Sequence, residues 1–422
     1  MLRILYLHQH YSSPVGSTAT RSDGFARALV ARGHAVTMAC GRYDGAATGL
    51  DGPFRRGGRE GRLAGLDIVE FDIACGNAMG LAARATAFLR YAAATTRLAV
   101  ARRFDLVVAS STPLTVALPA LAARSLRGTP FVFEIRDPWP ELPHAMGGVP
   151  GPVLAVMGRL ADAACRRAAA VVALSEGMAA TALARGAVAA DVHVVPNGCD
   201  LGLFGPHVAG WRPEAAGSHE CIALYAGAHG RANGLGTLLD AAAFLRAGGE
   251  HRLRILLVGD GAGKPALVAR AQAEGLTNVT FLDPLPRPMV GALHAGCQIA
   301  LHVLADVPAF AEWTSPNKLM DGLAAGRPVV TNQPGRAARI VEDGPSGIVV
   351  PPGDAPALAE ALRHLAARPA LREAMGAAAR RQAVARWDRR LLAAQFCAVV
   401  EGAAQHRAGR RSAVAMGGAS LR

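Results

Sequence analysis

The stretch Ser315-Pro316-Asn317-Lys318-Leu319-Met320-Asp321-Gly322-Leu323-Ala324-Ala325-Gly326-Arg327-Pro328-Val329-Val330 sets the reading of the whole chain. It opens on a polar, Pro-containing turn, closes a helix on Gly326 and runs straight into a short apolar strand. The first turn of such a helix leaves backbone N–H groups free to meet an anion. Lys318 adds a positive charge there, and Asp321, three residues on, faces the same way. A cation followed by an acceptor-only carboxylate suits a molecule with phosphates at one end and sugar hydroxyls beside them. A nucleotide-sugar has that form.

The same alternation of short apolar runs with longer amphipathic ones extends outward from this segment. Strands are expected at Arg3–His8, Ala35–Ala39, Leu66–Phe71, Leu106–Ala109, Phe131–Ile135, Ala170–Leu174 and Val192–Val195, with helices such as Thr20–Ala31 and Gly151–Ala168 between them. The rhythm restarts at Ile222–Ala226 and continues through Arg254–Val258, Thr280–Leu282, Ile299–Val303, Val329–Thr331 and Gly347–Val349. This is the βαβ pattern of parallel sheets with helices on both faces, and it predicts an α/β chain of two doubly wound domains. The boundary is expected in the turn-rich stretch from Pro196 to Glu220, giving domains at 1–200 and 201–405, with the last helix free to pack back on the first domain. The polar, basic tail 406–422 reads as disordered. Ligands of such folds lie outside the carboxyl ends of the strands, here in an interdomain cleft. The Gly- and Arg-rich segment Gly41–Gly65 reads either as a flexible surface loop or as part of a basic contact face.

A chain of 422 residues, 51% apolar and 18% charged, is long enough for two cores. Lys264 and Lys318 are its only lysines, and both fall in phosphate-like contexts. The net charge of +13 fits an anionic membrane surface or plain Arg-rich composition. Nucleic acid is disfavoured, because no nucleic-acid-binding motif accompanies the charge. Seven scattered cysteines without metal-ligand spacing read as core residues of a reducing compartment. The N-terminus reads as a strand rather than a signal peptide, and the uncharged run from Leu106 to Ala123 is broken by Pro113 and Pro119. The expected location is cytoplasmic, with peripheral contact at the inner membrane face.

Five motifs carry chemistry. Pro14–Arg21 follows the first strand, and Gly16 there lets the backbone approach a ligand while Arg21 supplies charge; the alternative is an ordinary capped loop. Tyr225–Leu235 is the matching loop of the second domain, with Gly227, His229, Arg231 and Asn233 leading into a helix, either a phosphate cradle or a glycine-rich turn. Val258-Gly259-Asp260-Gly261-Ala262-Gly263-Lys264-Pro265 has neither the spacing of an ATPase P-loop nor that of a dinucleotide fingerprint, yet Lys264 sits where it could meet a diphosphate. Phe133–Glu141 ends a strand with Glu134, Arg136, Asp137 and Glu141, which either orient an acceptor or form a salt bridge between Arg136 and an acid. Finally, Leu81–Phe104 carries Arg84, Arg90, Arg97, Arg102 and Arg103 among apolar residues, as a membrane-surface helix or a solvated domain helix would. No metal-ligating cluster and no Ser-His-Asp arrangement is identifiable, and the histidines read as scattered.

With these residues in hand, the chain resembles the family-4 glycosyltransferases, retaining enzymes of the GT-B fold with two facing Rossmann-like domains. Arg32-Gly33-His34-Ala35-Val36-Thr37, Val195-Pro196-Asn197-Gly198-Cys199-Asp200, Leu257-Val258-Gly259-Asp260-Gly261, Asn278–Leu282 and Asp321–Val330 followed by Gly347–Asp354 carry the resemblance, which covers nearly the whole chain. Phe133–Glu141 and Tyr225–Leu235 look most like enzymes of capsule, O-antigen and exopolysaccharide assembly, which often glycosylate polyprenyl-diphosphate-linked sugars. The resemblance implies a hexosyltransferase using a UDP- or GDP-linked sugar as co-substrate and no metal. It puts Asp321 at the second acid of the family's paired-acid motif, typically a ribose ligand, and Trp313 where the first acid would fall, with Glu312 one residue out of register. The family's phosphate-binding Arg and Lys would fall at Ala228 and Asn233, so Arg231, Lys264 and Lys318 are expected to share that charge. Ser315, Pro316 and Asn317 would meet the donor sugar through backbone, Leu285 would lie against the nucleobase, and Arg136 and Asp137 fall near a His-Asp pair at the acceptor. The implied catalytic set is Arg136, Asp137, Lys318 and Asp321, with Arg21, Glu134 and Glu141 on the acceptor side. Helix N-termini and fixed cations would stabilise the departing diphosphate, and domain closure would exclude water. Two competing readings remain: a nucleotide-sugar 2-epimerase, which needs an acid/base pair, and a non-catalytic basic scaffold at the membrane.

Overall fold

The computed structural model describes the backbone of residues 1–417, apart from Ala19, Asn77 and Ala78, and side chains as far as Gln405. The chain divides into two compact units. One comprises Met1–Ser13, Thr20–Pro196 and Leu392–Arg422, the other Pro14–Ala19 and Asn197–Leu391. The tail from His406, read above as disordered, lies outside the residues whose side chains are described.

In the first unit the strands are β1 (Arg3–Leu7), β2 (Ala35–Tyr43), β3 (Gly58–Leu63), β4 (Leu66–Cys75), β5 (Leu106–Ser110), β6 (Phe131–Ile135), β7 (Ala170–Ala173) and β8 (Val192–Val194). They lie in the order β3-β4-β2-β1-β5-β6-β7-β8. All neighbours run parallel except the β3–β4 pair. Runs such as Ile4–Leu7 and Leu106–Ala109 are apolar at every position and fully buried, because helices cover both faces of the sheet.

The segment Gly41–Gly65 is not the flexible loop that its composition suggests. β2 runs on to Tyr43, and β3 folds back on β4 through Ala64 and Gly65, both at positive φ, with Leu63 opposite Leu66. That is the backbone of a two-residue hairpin whose twist suits the strands. The segment is anchored by the buried Glu70 carboxylate, which accepts from Thr48 Oγ1 at 2.7 Å and Arg59 Nε at 2.8 Å. The basic helix ends at Ala101, so Arg102 and Arg103 stand beyond it, and Arg102 pairs with Glu60 at 2.7 Å.

The second unit has β9 (Cys221–Ala226), β10 (Leu253–Val258), β11 (Val279–Leu282), β12 (Ile299–His302), β13 (Val329–Thr331) and β14 (Gly347–Val349), all parallel, in the order β11-β10-β9-β12-β13-β14. Leu238, Leu239, Leu358 and Leu362 pack on one face of this sheet, and Leu319, Met320 and Leu323 on the other.

The helix Arg389–Gly417 returns the chain to the first unit. Phe396 stacks on Tyr6 at 6.0 Å and tilts against Phe25 at 4.7 Å, among Leu392, Cys397 and Val400. Glu401 completes the docking by accepting from Arg32 at 2.8 Å and meeting His34 Nε2 at 2.9 Å. These contacts, the Arg32 hydrogen bond first, hold the Glu401 carboxyl down at about 2. A carboxylate depressed in the folded state stabilises it above the unfolded value near 4.5 and loses that contribution as pH falls toward 2. Glu401→Gln should lower the melting temperature at neutral pH by about 2 °C. The gap to the unmodified protein, followed by thermal melts, should close between those two pH values, and a gap that persists at acid pH would refute the role.

Candidate functional site

Because the second sheet is parallel, the loops after β9, β10, β12 and β13 emerge on one edge. The β9 loop is pinned there by backbone bonds. Gly227 N donates to the Val258 carbonyl at 2.8 Å, His229 N to that of Asp260 at 2.8 Å, and Gly263 N to that of His229 at 2.9 Å. The approach is so close that a Cβ on Gly259 would lie 2.0 Å from the Gly227 carbonyl oxygen, and Gly259 has φ +138°.

Lys318 occupies the first turn of the helix Asn317–Ala324, whose N-terminus has no side-chain cap. Its side chain passes directly over Gly227, where an added Cβ would lie 2.0 Å from Lys318 Cε. Nζ then donates to Asn233 Oδ1 at 3.1 Å and lies 5.0 Å from the centre of the Tyr225 ring. The Tyr225 hydroxyl braces the same amide, 2.8 Å from Asn233 Oδ1. Burial pushes the Lys318 ammonium down to about 8, offset in part by Asp321. The lysine charge is thus delivered to Asn233, one of the two positions where the family pattern has a cation of its own.

The other donor-side candidates fall around this edge in different states. His229 is buried with neither ring nitrogen partnered by the protein, and burial, then Lys264, pushes it down to about 4. Lys264 has its three ammonium protons directed at the carbonyls of Gly259 and Leu282, at 2.9 and 3.1 Å, and at Asp283, 2.7 Å away. Arg231 is exposed at the start of the short turn Arg231–Asn233, and Leu285 is half-buried against the core around Leu256 and Leu293. Ser315 is clamped by Asn197, whose backbone N donates to Ser315 Oγ at 2.8 Å and whose Nδ2 donates to its carbonyl at 2.6 Å; Pro316 and Asn317 follow half-buried. Gly16 is buried in the segment Pro14–Ala19, which belongs to the same unit. Asp321 is buried and accepts a two-pronged pair from Arg287, at 2.9 and 2.7 Å, with the guanidinium 4.8 Å over the Phe204 ring. Glu312, beside Trp313, forms a largely solvated pair with Arg339 at 3.0 Å.

On the first unit, Arg21 and Glu134 form a fully buried pair at 2.9 Å. Arg21 also donates to the carbonyls of Val195 and Pro196, and Glu134 accepts from Ser110 Oγ at 2.5 Å. Glu141 pairs with Arg185, which also holds Asp162 at 2.6 Å. Arg21 and Glu134 are thus enclosed by structural partners, whereas Glu141 keeps Oε2 without a partner among the described residues. Arg136 and Asp137 are not so enclosed: both are half-buried at the end of β6, and Asp137 accepts from Thr112 Oγ1 at 2.7 Å. The partner of Arg136 is no acid but His8, with 2.6 Å between Nη1 and Nε2.

His8, Arg287 and His302 are the residues that sequence reasoning passed over. His302 ends β12 with Nδ1 3.0 Å from Thr331 Oγ1 and no partner for Nε2, and burial, then Lys318, pushes it down to about 3. The available signal was positional, since His8 and His302 stand at the carboxyl ends of apolar runs read as strands. Arg287 offered none, being one arginine among many. Among the described residues no group of three His, Cys, Asp or Glu side chains is placed to hold a metal ion, and no helix is long and apolar enough to cross a membrane.

Residues 16–198 match the family model of the glycosyl transferase 4-like domain, and residues 220–368 that of the glycosyl transferases group 1. Between them the two matches take in most of the chain, which belongs to this glycosyltransferase family and has its GT-B fold of two parallel-sheet α/β units. The O-antigen chain mannosyltransferase C of Escherichia coli is 30% identical over 179 residues, 41% of this chain and 44% of that protein, so the match spans less than half of the relative's length. In fold, the chain is similar to a sucrose-phosphate synthase from Thermosynechococcus elongatus, with TM-score 0.72 and 19% identity over 94% of this chain and 97% of that one. It is also similar to Anabaena HepE in complex with UDP-glucose, with TM-score 0.65 and 19% identity over 95% and 100%.

The Arg287–Asp321 pair dictates how the helix bearing Lys318 is to be probed. Asp321→Ala strands a buried guanidinium and should cost about 3 kcal/mol in denaturant unfolding. Asp321→Ala combined with Arg287→Met should recover most of that loss. Additive losses in the double variant would show that the pair is not coupled.

Proposed function

We propose that this chain is a retaining glycosyltransferase. It moves a sugar from a UDP- or GDP-linked donor to a glycan or a polyprenyl-diphosphate-linked sugar in cell-surface polysaccharide assembly. The observation that carries the reading is Lys318, a desolvated ammonium led over Gly227 from an uncapped helix N-terminus. Cleaving a nucleotide-sugar puts negative charge on the departing diphosphate. A preorganised cation and free N–H groups at a helix start stabilise that charge as it develops. The reading gives the acceptor proton to the leaving phosphate and names no covalent nucleophile. Donor contacts are assigned to Gly16, Gly227, His229, Asn233, Ser315, Pro316 and Asn317, with Lys264 and Asp321 setting the frame, and acceptor contacts to Arg136 and Asp137. The UDP-glucose in the HepE structure and the mannosyltransferase relative support a nucleotide-sugar donor.

A nucleotide-sugar epimerase is less well supported. Glu134 and Asp321 are each held by an arginine, which leaves neither carboxylate free to abstract a proton. Contact with an anionic membrane is proposed for the helix Leu81–Ala101, where Arg90 and Arg97 are exposed beside Leu81 and Leu89. Co-sedimentation with phosphatidylglycerol vesicles but not phosphatidylcholine vesicles, lost in Arg90→Glu with Arg97→Glu, is the expected outcome. Equal binding to both lipids would sink that part.

The enzymatic reading is tested by nucleotide release from a panel of UDP-, GDP- and ADP-sugars, with and without a polyprenyl-diphosphate-sugar extract. Release should select one donor and rise with acceptor. Lys318→Ala should lower it by about a hundredfold, and Gly227→Ala, which displaces the lysine without removing it, by about tenfold. Only the charged ammonium binds diphosphate, so donor KM should rise as pH climbs through about 8. Lys318→Arg should abolish that limb. Full activity in Lys318→Ala would overturn the assignment.

A further inference from the structure

The first unit carries a cation of unusual standing. Most buried or half-buried arginines there answer a carboxylate: Arg21 answers Glu134, Arg27 answers Asp23, Arg59 answers Glu70, and Arg185 answers Glu141 and Asp162. Arg136 answers an imidazole. Among the described residues it forms no ion pair, and the adjacent Asp137 is engaged by Thr112.

We propose that Arg136 is a preformed binding group for an anionic substituent, phosphate or carboxylate, on a sugar held at the carboxyl edge of the first sheet, and that His8 is the residue that positions it. The proposal rests on the reading above only in taking that sugar for the acceptor.

The chemistry of the contact fixes its direction. A guanidinium only donates, so His8 Nε2 must accept, and the ring proton must lie on Nδ1. Nδ1 in turn donates to Ser22 Oγ at 2.7 Å. His8 and Ser22 are 3% and 1% exposed, so the relay Ser22–His8–Arg136 is locked by packing. Burial first, then Arg136, holds the His8 ring far below its ordinary value and therefore neutral. The distinction between a neutral and a charged anchor decides the function. A carboxylate at position 8 would fix Arg136 equally well and would cancel its charge. An imidazole fixes it and leaves the full charge, with the other N–H donors of the fork, for a ligand.

The surroundings agree. The titratable groups that act on His8 are Arg136, His10 and Arg21, all basic, and the buried acids Glu134 and Asp23 are engaged by Arg21 and Arg27. Arg84 and Arg136 together help hold His10 down at about 3, after burial. His10, on which Arg136 acts, stacks on Tyr43 at 4.1 Å and lies 6.3 Å from the His8 ring. A guanidinium that is held by a neutral ring and forms no ion pair suits the anionic group of a sugar phosphate or an acidic sugar.

The test is calorimetry on the full chain bearing Lys318→Ala, which silences the cation of the second unit, with inorganic pyrophosphate and glucuronate as probes. At least one should bind, and which of them binds tells phosphate from carboxylate. Arg136→Gln should abolish binding, and His8→Leu should weaken it about tenfold. His8→Gln, whose Oε1 can accept from Arg136, should restore it to within about threefold. Should His8→Leu fail to melt cooperatively, Ser22→Ala, which frees the tautomer, should weaken binding about threefold. Binding that ignores Arg136→Gln, or no binding of either probe, overturns the proposal, as does His8→Gln behaving like His8→Leu. The two readings fail separately. Anion binding that depends on Arg136 with no nucleotide release leaves this inference standing alone, whereas acceptor-dependent release without such binding leaves only the transferase.

Discussion

The Gly227 carbonyl oxygen fills the space that any side chain at position 259 would need. That one close approach organises the second unit. It draws the loops after β9 and β10 into backbone contact, with three hydrogen bonds between them. The β9 loop so held offers a bare face at Gly227, and only across a bare face can Lys318 lie flat enough to bring its ammonium to Asn233. A helix of eight residues supplies both that lysine and, one turn on, the carboxylate that Arg287 locks in place. Glycine, lysine and ion pair are one construction, and loosening any of them moves the charge.

Both units treat charge alike. Buried cations are common, and nearly all are matched by a carboxylate or spent on carbonyls, as in Arg21 with Glu134, Arg287 with Asp321 and Lys264 over the β10 loop. Among the described residues Lys318 and the half-buried Arg136 stand apart, each held by a neutral group, an amide in one case and an imidazole in the other. Desolvating a cation without a counter-charge is costly, and a fold keeps such an arrangement where an anion will complete it. The excess of basic residues in the composition is mostly surface, so net charge alone could not have singled out these two.

The architecture was legible because buried parallel strands write themselves as short, uninterrupted apolar runs, as in Leu106–Ala109 and Phe131–Ile135, which lie within β5 and β6. The hairpin in Gly41–Gly65 was not. β3 is polar and partly exposed, so it lacks the apolar alternation that marks a strand, and its reason to fold is Glu70 on the next strand. Of the chemistry, Lys318 and the glycines announced themselves by type and spacing. His8 and Arg136 are 128 residues apart in sequence and meet only because β1 and β6 both border β5. Arg287 likewise reaches Asp321 across 34 residues. Such pairings belong to topology, and no local pattern encodes them.

The returning helix sets an order of events in the making of the protein. Phe396, Cys397 and Val400 sit against Tyr6 and Phe25 in the first unit's core, yet the ribosome delivers them only after the second unit. While the second unit is being made, the nascent first unit must present an apolar trough that its own sequence has yet to fill. The second unit has its sheet and helices complete before that point. A unit that waits in this way is exposed to hydrophobic capture while the second unit is made, and it gains in exchange a docking step that joins its first strand to a helix made after that second unit.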